Sequence, residues 1–222
     1  MTRFAPVLGW LLVSAASLGG VTTPHLASWS GPFTTPVPPT VEDLFTGTGN
    51  LPGKLPDTGP GAWVGVSGTW TYASGTVSQA LAGANRRVVI PTGVAVQRVR
   101  VGLSGLPPTH TVGVVAKSNP TGNTYLRLEK RNVSGGQLRL VRTISGVNTV
   151  LATLNGVGNP TSGVLTLLVN GSSVTGWFGS SVLTFTLSPA DTATFAPLTH
   201  AGLVTTGASP PTYVQPFRVW SF

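Results

Sequence analysis

Cysteine is absent from this 222-residue chain, and acidic residues nearly so: five carboxylates stand against thirteen lysines and arginines. The first absence removes disulfides, thiol nucleophiles and thiolate metal sites, and leaves the redox compartment open. The second weighs against catalysis. Glu42, Asp43, Asp57, Glu129 and Asp191 are the whole acidic inventory, and glycoside hydrolysis needs two carboxylates facing each other across a cleft. Glu42 and Asp43 are neighbours that point to opposite faces of a strand, and Glu129 sits among Arg127, Lys130 and Arg131, its expected ion-pair partners. Charged residues make up only 8% of the chain, far below the usual quarter or so, so Thr, Ser, Gly, Asn and Gln must cover the surface. Long helical periods are missing too, which excludes an α/β enzyme.

Other chemistry is equally thin. His25, His110 and His200 are far apart and stand in no close-spaced ligand motif, and the many serines lack a G-x-S-x-G elbow. The chain is therefore expected to be non-enzymatic, with no cofactor and no metal. Its net charge of +8 comes from dispersed Lys and Arg, without the clustered basic residues and interleaved aromatics of a nucleic-acid site. No nucleic-acid partner is expected.

What is present is a β signal. From Ala62 onward, short runs rich in Val, Thr, Leu and aromatics recur at turn-bounded intervals, as in a sandwich or barrel. Thirteen strands are expected, from "GTWTYAS" through "VAVQRVRVGL", "HTVGVVAKS", "TYLRLEKRN", "GQLRLVRTI" and "GVLTLLVN" to "YVQPFRVWS". Period-two alternation in "QRVRVGL" puts Val99, Val101 and Leu103 on one face and Arg98 and Arg100 on the other. Asn170 and Gly171 in "VNGSSV" mark a tight hairpin, and Gly135 with Gly136 marks another. "SPADTATF" is the one short helix, with Ser188 as cap and Pro189 in its first turn. Between Asp43 and Tyr72, "DLFTGTGNLPGKLPDTGPGAWVGVSGTWTY" interposes about twenty turn-forming residues, a loop long enough to have a role of its own.

Residues 1–41 differ from the rest and are expected to form an extended arm, with residues 42–222 as the β-domain. "MTRFAPVLGWLLVSAASLGG" has the outline of a secretory signal. Its apolar core is shorter than the roughly 20 residues a bilayer span needs, so no membrane span is expected. Pro24, Pro32, Pro36, Pro38 and Pro39 favour extended backbone in the second half of the arm. The expected role is assembly or anchoring, with Phe4, Trp10, Leu11, Leu12 and Trp29 buried against a neighbouring subunit; an unprocessed signal is the alternative.

The order "DLF" (Asp43 to Phe45), "GTW" (Gly68 to Trp70), "VGVVAK" (Val112 to Lys117), "NTYLRLE" (Asn123 to Glu129), "GGQLRLVRTISGVNTVLA", "GVLTLLVNGSSVTGWFGSSVL", "HAGLVT" and "FRVWSF" resembles the concanavalin A-like, laminin G-like jelly-roll domains. It looks most like those in minor tail proteins of phages that infect actinobacteria and in secreted actinobacterial glycan-binding modules. The resemblance spans about residues 42–222. It implies an all-β antiparallel two-sheet sandwich whose first and last strands lie together, here the region of Leu44 and Phe45 beside "PFRVWSF". It further implies a virion structural protein in the tail, with other virion proteins as partners, a trimer or ring of its own copies, and contact with a cell-envelope glycan. A secreted glycan-binding module and a head decoration protein are the alternatives, and a glycosidase relic a third. The glucanases of that superfamily carry a Glu-x-Asp-x-x-Glu strand, and nothing here matches it. Calcium, which many laminin G-like lectins use, needs several oxygen ligands; Asp57 and Asp191 are isolated, which leaves only backbone carbonyls as an alternative.

Two surface features point to binding. Arg98, Arg100, Arg127, Arg131 and Arg139 share the polar phase of three strands and are expected on one sheet face, where they would meet an acidic partner or an anionic glycan. Tyr72, Tyr125, Trp177 and Tyr213 are candidate platforms for sugar rings, since an aromatic ring offers a flat apolar surface. Trp63, Trp70, Trp177 and Trp220 are more simply read as core.

Overall fold

The computed structural model describes residues 37–79, 83–207 and 212–222. Phe4, Trp10, Leu11, Leu12 and Trp29 of the expected arm lie outside the described residues. Three short strands come first: β1 (Val41–Asp43), β2 (Thr48–Asn50) and β3 (Val64–Ser67). They are followed by β4 (Trp70–Ala73), β5 (Thr76–Gln79), β6 (Gly83–Pro91), β7 (Gln97–Ser104), β8 (Thr111–Ser118), β9 (Tyr125–Arg131), β10 (Gln137–Ile144) and β11 (Val147–Asn155). The chain closes with β12 (Gly163–Asn170), β13 (Ser173–Phe178), β14 (Ser181–Thr186), α1 (Pro189–Phe195), β15 (His200–Gly207) and β16 (Thr212–Trp220).

The strands form two antiparallel sheets of a jelly-roll sandwich. One has nine strands in the order β14-β13-β12-β7-β16-β5-β4-β2, with β1 also on β16; the other has seven, β11-β10-β9-β8-β15-β6-β3. Each of the thirteen expected strands is present. The expected neighbourhood of first and last strands is also present, two residues earlier than expected: Val41 faces Val219, Glu42 faces Arg218 and Asp43 faces Phe217. The hairpin after β12 turns on Gly171 and Ser172, because Asn170 still pairs with Ser173. Ser188 caps α1, its hydroxyl accepting from the Asp191 amide at 3.1 Å.

Alternation decides what lies between the sheets. Along β7, Val99, Val101 and Leu103 are buried while Arg98 and Arg100 are exposed. Leu165 and Leu167 of β12 join them, and Val112, Val114, Leu126, Leu128, Leu138, Leu140 and Leu203 come from the opposite sheet. Gly176 shows how closely the sheets approach: a Cβ there would sit 2.3 Å from Leu128 Cδ1. The inward phase of β9 also carries Lys130, fully buried, whose ammonium donates to Asn132 Oδ1 at 2.8 Å and to the Arg131 carbonyl at 3.1 Å. Lys130 therefore faces away from Glu129 and is not the ion-pair partner its place in the sequence suggested.

The long segment after Asp43 is held by one carboxylate. Asp43 is fully buried; its Oδ1 accepts from the Phe45 amide and from Lys54 Nζ, both at 2.7 Å, and its Oδ2 accepts from Trp63 Nε1 at 2.8 Å. The Trp63 ring in turn lies 4.9 Å from that of Phe217 and 6.2 Å from that of Phe45. Backbone bonds tighten the frame: Gly53 N donates to the Trp63 carbonyl and Trp63 N to the Lys54 carbonyl, while Glu42 and Thr58 exchange both of theirs. The segment is thus more than the loop its sequence suggested. It contributes β2 to one sheet and β3 to the other, an outcome hidden in the sequence by its glycines and prolines.

Removing one member of a buried charged pair leaves the other uncompensated, at about 3–5 kcal/mol. Asp43→Asn keeps the volume and strands the Lys54 ammonium. Urea denaturation should show a loss of stability of about that size, against little change for Asp57→Asn, whose carboxylate takes one exposed bond from the Leu44 amide.

Candidate functional site

The outer face of the nine-stranded sheet carries rows of side chains set by the strand register. Trp177 on β13 lies opposite Thr166 on β12, Thr166 opposite Arg100 on β7, Arg100 opposite Arg218 on β16, and Arg218 opposite Glu42 on β1. The neighbouring row sets Leu168 against Arg98 and Arg98 against Trp220. Arg98, Arg100, Val164, Thr166, Trp177 and Gly179 enclose a shallow depression of about 250 Å³. Thr166 stands between Trp177 and Arg100 in the row, with Val164 beside it on the same strand.

The two arginines differ. Arg98 lies over the Trp220 ring, 5.5 Å from its centroid, and burial with the adjacent Arg100 charge lowers its pKa from the ordinary value. Arg100 is exposed and has no carboxylate or hydrogen-bond partner among the described residues. Arg218, next in the row, is taken by Glu42, with Nε to Oε1 at 2.6 Å. The face therefore presents a half-buried indole, a hydroxyl and a free planar fork of donors. That set suits a sugar ring, whose C–H face stacks on an aromatic while its hydroxyls accept from a guanidinium.

The structure divides the basic residues that the sequence grouped. Arg98 and Arg100 belong to the nine-stranded sheet, whereas Arg127, Arg131 and Arg139 lie on β9 and β10 of the seven-stranded sheet. Their shared polar phase is real, but phase does not say which sheet a strand joins. Arg127 and Arg139 both pair with Glu129, at 2.8 and 2.6 Å, and Arg131 donates to Gln137 Oε1 at 3.2 Å. Two aromatic candidates are corrected as well. Tyr213 is fully buried between the sheets, where its hydroxyl donates to the Val204 carbonyl and accepts from the Gly113 amide at 3.3 Å. Tyr125 is fully buried on the outer side of the seven-stranded sheet. Trp63 and Trp70 are core, whereas Trp177 and Trp220 stand half-buried on the outer face. Sequence reasoning missed Thr166 and Val164; only the β7–β12 pairing, distant in sequence, brings them to Arg100.

All five carboxylates of the chain have structural partners. Besides the Asp43, Glu42, Glu129 and Asp57 contacts, Asp191 binds Arg142 and sits in the first turn of α1. Among the described residues no group of three or more His, Asp or Glu could hold a metal ion.

No protein-family profile matches the chain, and no curated protein sequence matches it. Solved structures do resemble it. The carbohydrate-binding module CBM66 from Bacillus subtilis has a TM-score of 0.55 at 10% identity, over 72% of this chain and 95% of that one. A LamA variant from Z. galactanivorans in complex with laminaritriose and laminaritetraose has a TM-score of 0.52 at 12% identity, over 81% and 97%. The Bacillus licheniformis β-glucanase follows with 0.51 at 11%, over 79% and 99%. The fold is thus the concanavalin A-like jelly roll that the resemblance implied.

A second depression, about 170 Å³, lies at one end of the sandwich between Ala95, Lys117, Val169, Phe195 and Ala196. Lys117 is buried there and acts as a strut, donating to the carbonyls of Ala95 at 2.9 Å and Ala196 at 2.7 Å. Burial pushes the ammonium groups of Lys117 and Lys130 down to about 8 from an ordinary 10.5. The folded chain releases these protons before the unfolded chain does, so stability rises with pH from about 8 upward. Above about 10 the buried Tyr213 phenol, whose pKa burial raises, opposes the trend, because only the unfolded chain then ionises it. Denaturation midpoints should therefore climb between about pH 8 and about pH 10, and Lys130→Met should flatten the climb.

Proposed function

We propose that this chain is a non-catalytic, lectin-like glycan-binding module whose ligand lies across the outer face of the nine-stranded sheet. The observation that carries this reading is the depression in which the Trp177 indole, the Thr166 hydroxyl and the unpaired Arg100 guanidinium converge. The similar structures named as a carbohydrate-binding module and as a complex with laminaritriose support it at the level of class. The engagement of all five carboxylates in structural contacts supports binding over hydrolysis, since no acid is left over to face a second one across this depression. The test is calorimetric titration with envelope polysaccharide from actinobacteria. Trp177→Ala should weaken binding about tenfold, near 1.4 kcal/mol, with folding unchanged because the ring lies outside the core. Arg100→Gln should weaken it less and remove its salt dependence, which for a charged ligand acts over a Debye length of about 8–10 Å. Unaltered affinity in both variants would sink the proposal.

The finer reading places this module in a phage particle, as a minor tail protein that uses the arm ahead of β1 for assembly and the sandwich for host contact. It is supported by the order of strand motifs from Asp43 to Phe222 that resembles such tail domains. Secretion as a free binding module is the competing reading. Immunogold labelling of purified particles should mark the tail, and deletion of residues 2–20 should yield folded protein that no longer enters particles. Label on the head, or none on any particle, would overturn the tail assignment.

A further inference from the structure

The outer face of the seven-stranded sheet holds a second cluster, in which neither Trp177 nor Arg100 takes part. Alternation along β9 turns Tyr125, Arg127 and Glu129 to this face. The Tyr125 ring packs with Val115 and Val204, and the guanidiniums of Arg87 and Arg127 lie 5.2 and 5.8 Å from its centroid. Both also donate to its hydroxyl, at 3.1 and 3.0 Å. Two cations thus share one neutral oxygen. Glu129 is the lone carboxylate here, and its two oxygens are taken by Arg127 Nε at 2.8 Å and Arg139 Nη2 at 2.6 Å.

Three guanidiniums therefore gather about one carboxylate and one phenol in a place largely shielded from water, with Arg127 Nη1 also 3.4 Å from Asn85 Oδ1 and 3.5 Å from Asn148 Oδ1. The side chain of Arg127 is 6% exposed and that of Arg139 21%, and the Nε atoms of Arg87 and Arg139 are buried with no acceptor. A buried donor left unpaired costs about 1–3 kcal/mol, and more when charged. The Tyr125 oxygen accepts two bonds, which occupies its lone pairs and directs its own proton elsewhere. Gly113 lies in the cross-strand row between Val204, which faces Arg87, and Glu129. A Cβ at Gly113 would sit 2.6 Å from the Leu128 carbonyl oxygen and 2.9 Å from Val204 Cγ1, so that step of the row carries no side chain of its own and Val204 packs over it. The cluster lacks one thing, a negative group with several acceptor oxygens.

We infer that this cluster is a second binding site, which takes one oxyanion of a sugar acid or sugar ester, whether carboxylate, sulfate or phosphate. Planar guanidiniums match such groups two oxygens at a time, with shorter and stronger bonds than neutral donors make. The site lies on the sheet opposite to Trp177, so the two are separable by mutation.

The test titrates the full-length chain with glucuronate, glucose 6-sulfate and glucose 6-phosphate, with glucose as neutral control, in the parent and in Trp177→Ala. At least one anionic sugar should bind about tenfold tighter than glucose in both, and the preferred anion identifies the source. Arg87→Gln should abolish that preference while near-UV circular dichroism stays native; if Arg87→Gln misfolds, Arg139→Gln serves in its place. The inference is overturned if no anionic sugar outbinds glucose, if the preference disappears in Trp177→Ala, or if it survives in the folded arginine variant. Loss of neutral-glycan binding in Trp177→Ala bears on the first site alone.

Discussion

A single buried carboxylate, Asp43, sets how the domain begins. Its two oxygens receive a backbone amide, an ammonium and an indole N–H, so both lone-pair directions of each oxygen face donors or the dry core around them. An ion in such a place is tolerated only when its partners are positioned by the rest of the chain. Here Lys54 and Trp63 come from a segment with almost no regular structure, and Asp43 comes from a three-residue strand. Together they fix the course of the chain from β1 to β4, and through the Trp63–Phe217 contact they tie that course to the final strand.

The scarcity of acids has a second effect. Because each carboxylate is engaged locally, the surplus of guanidinium groups has nothing within the chain to neutralise it, and it emerges on both outer faces of the sandwich. The faces differ in kind. On the nine-stranded sheet Arg100 is exposed and stands beside an apolar floor and an indole. On the seven-stranded sheet Arg87 and Arg127 lie over the Tyr125 ring and are screened little by solvent. Charge of the same sign is therefore available for weak, salt-sensitive contact on one face and for directional hydrogen bonding on the other.

Much of the fold is legible from residue order. Alternation in "QRVRVGL" and "YLRLEKR" and the Ser188-Pro189 cap are local signals found where their chemistry places them, whereas the hairpin glycines mark their turns only approximately: β12 and β13 close on Gly171 and Ser172, and β9 and β10 on the five residues from Asn132 to Gly136. The adjacency of β1 and β16 follows from the resemblance to jelly-roll domains. What local signals cannot carry is which sheet a strand joins. The separation of Arg98 and Arg100 from Arg127 and Arg139 follows from β7 pairing with β12 and β16 while β9 pairs with β8 and β10. Tyr213 illustrates the same point: alternation marks its phase, but only the packing of the two sheets reveals that its hydroxyl reaches Val204 and Gly113. Composition alone assigns Trp177 to the core, and one step of register leaves it on the surface.

The pairing of β1 with β16 has a mechanical side. Val41, where the chain enters the sandwich, faces Val219, where it leaves, and the Thr40 amide donates to the Val219 carbonyl at 2.7 Å. Tension applied between these two points acts across the ladder rather than along it, so the bonds open one after another, as a zipper does, beginning with those at Val219. The β1–β16 ladder therefore yields early to a pull between the two ends of the sandwich.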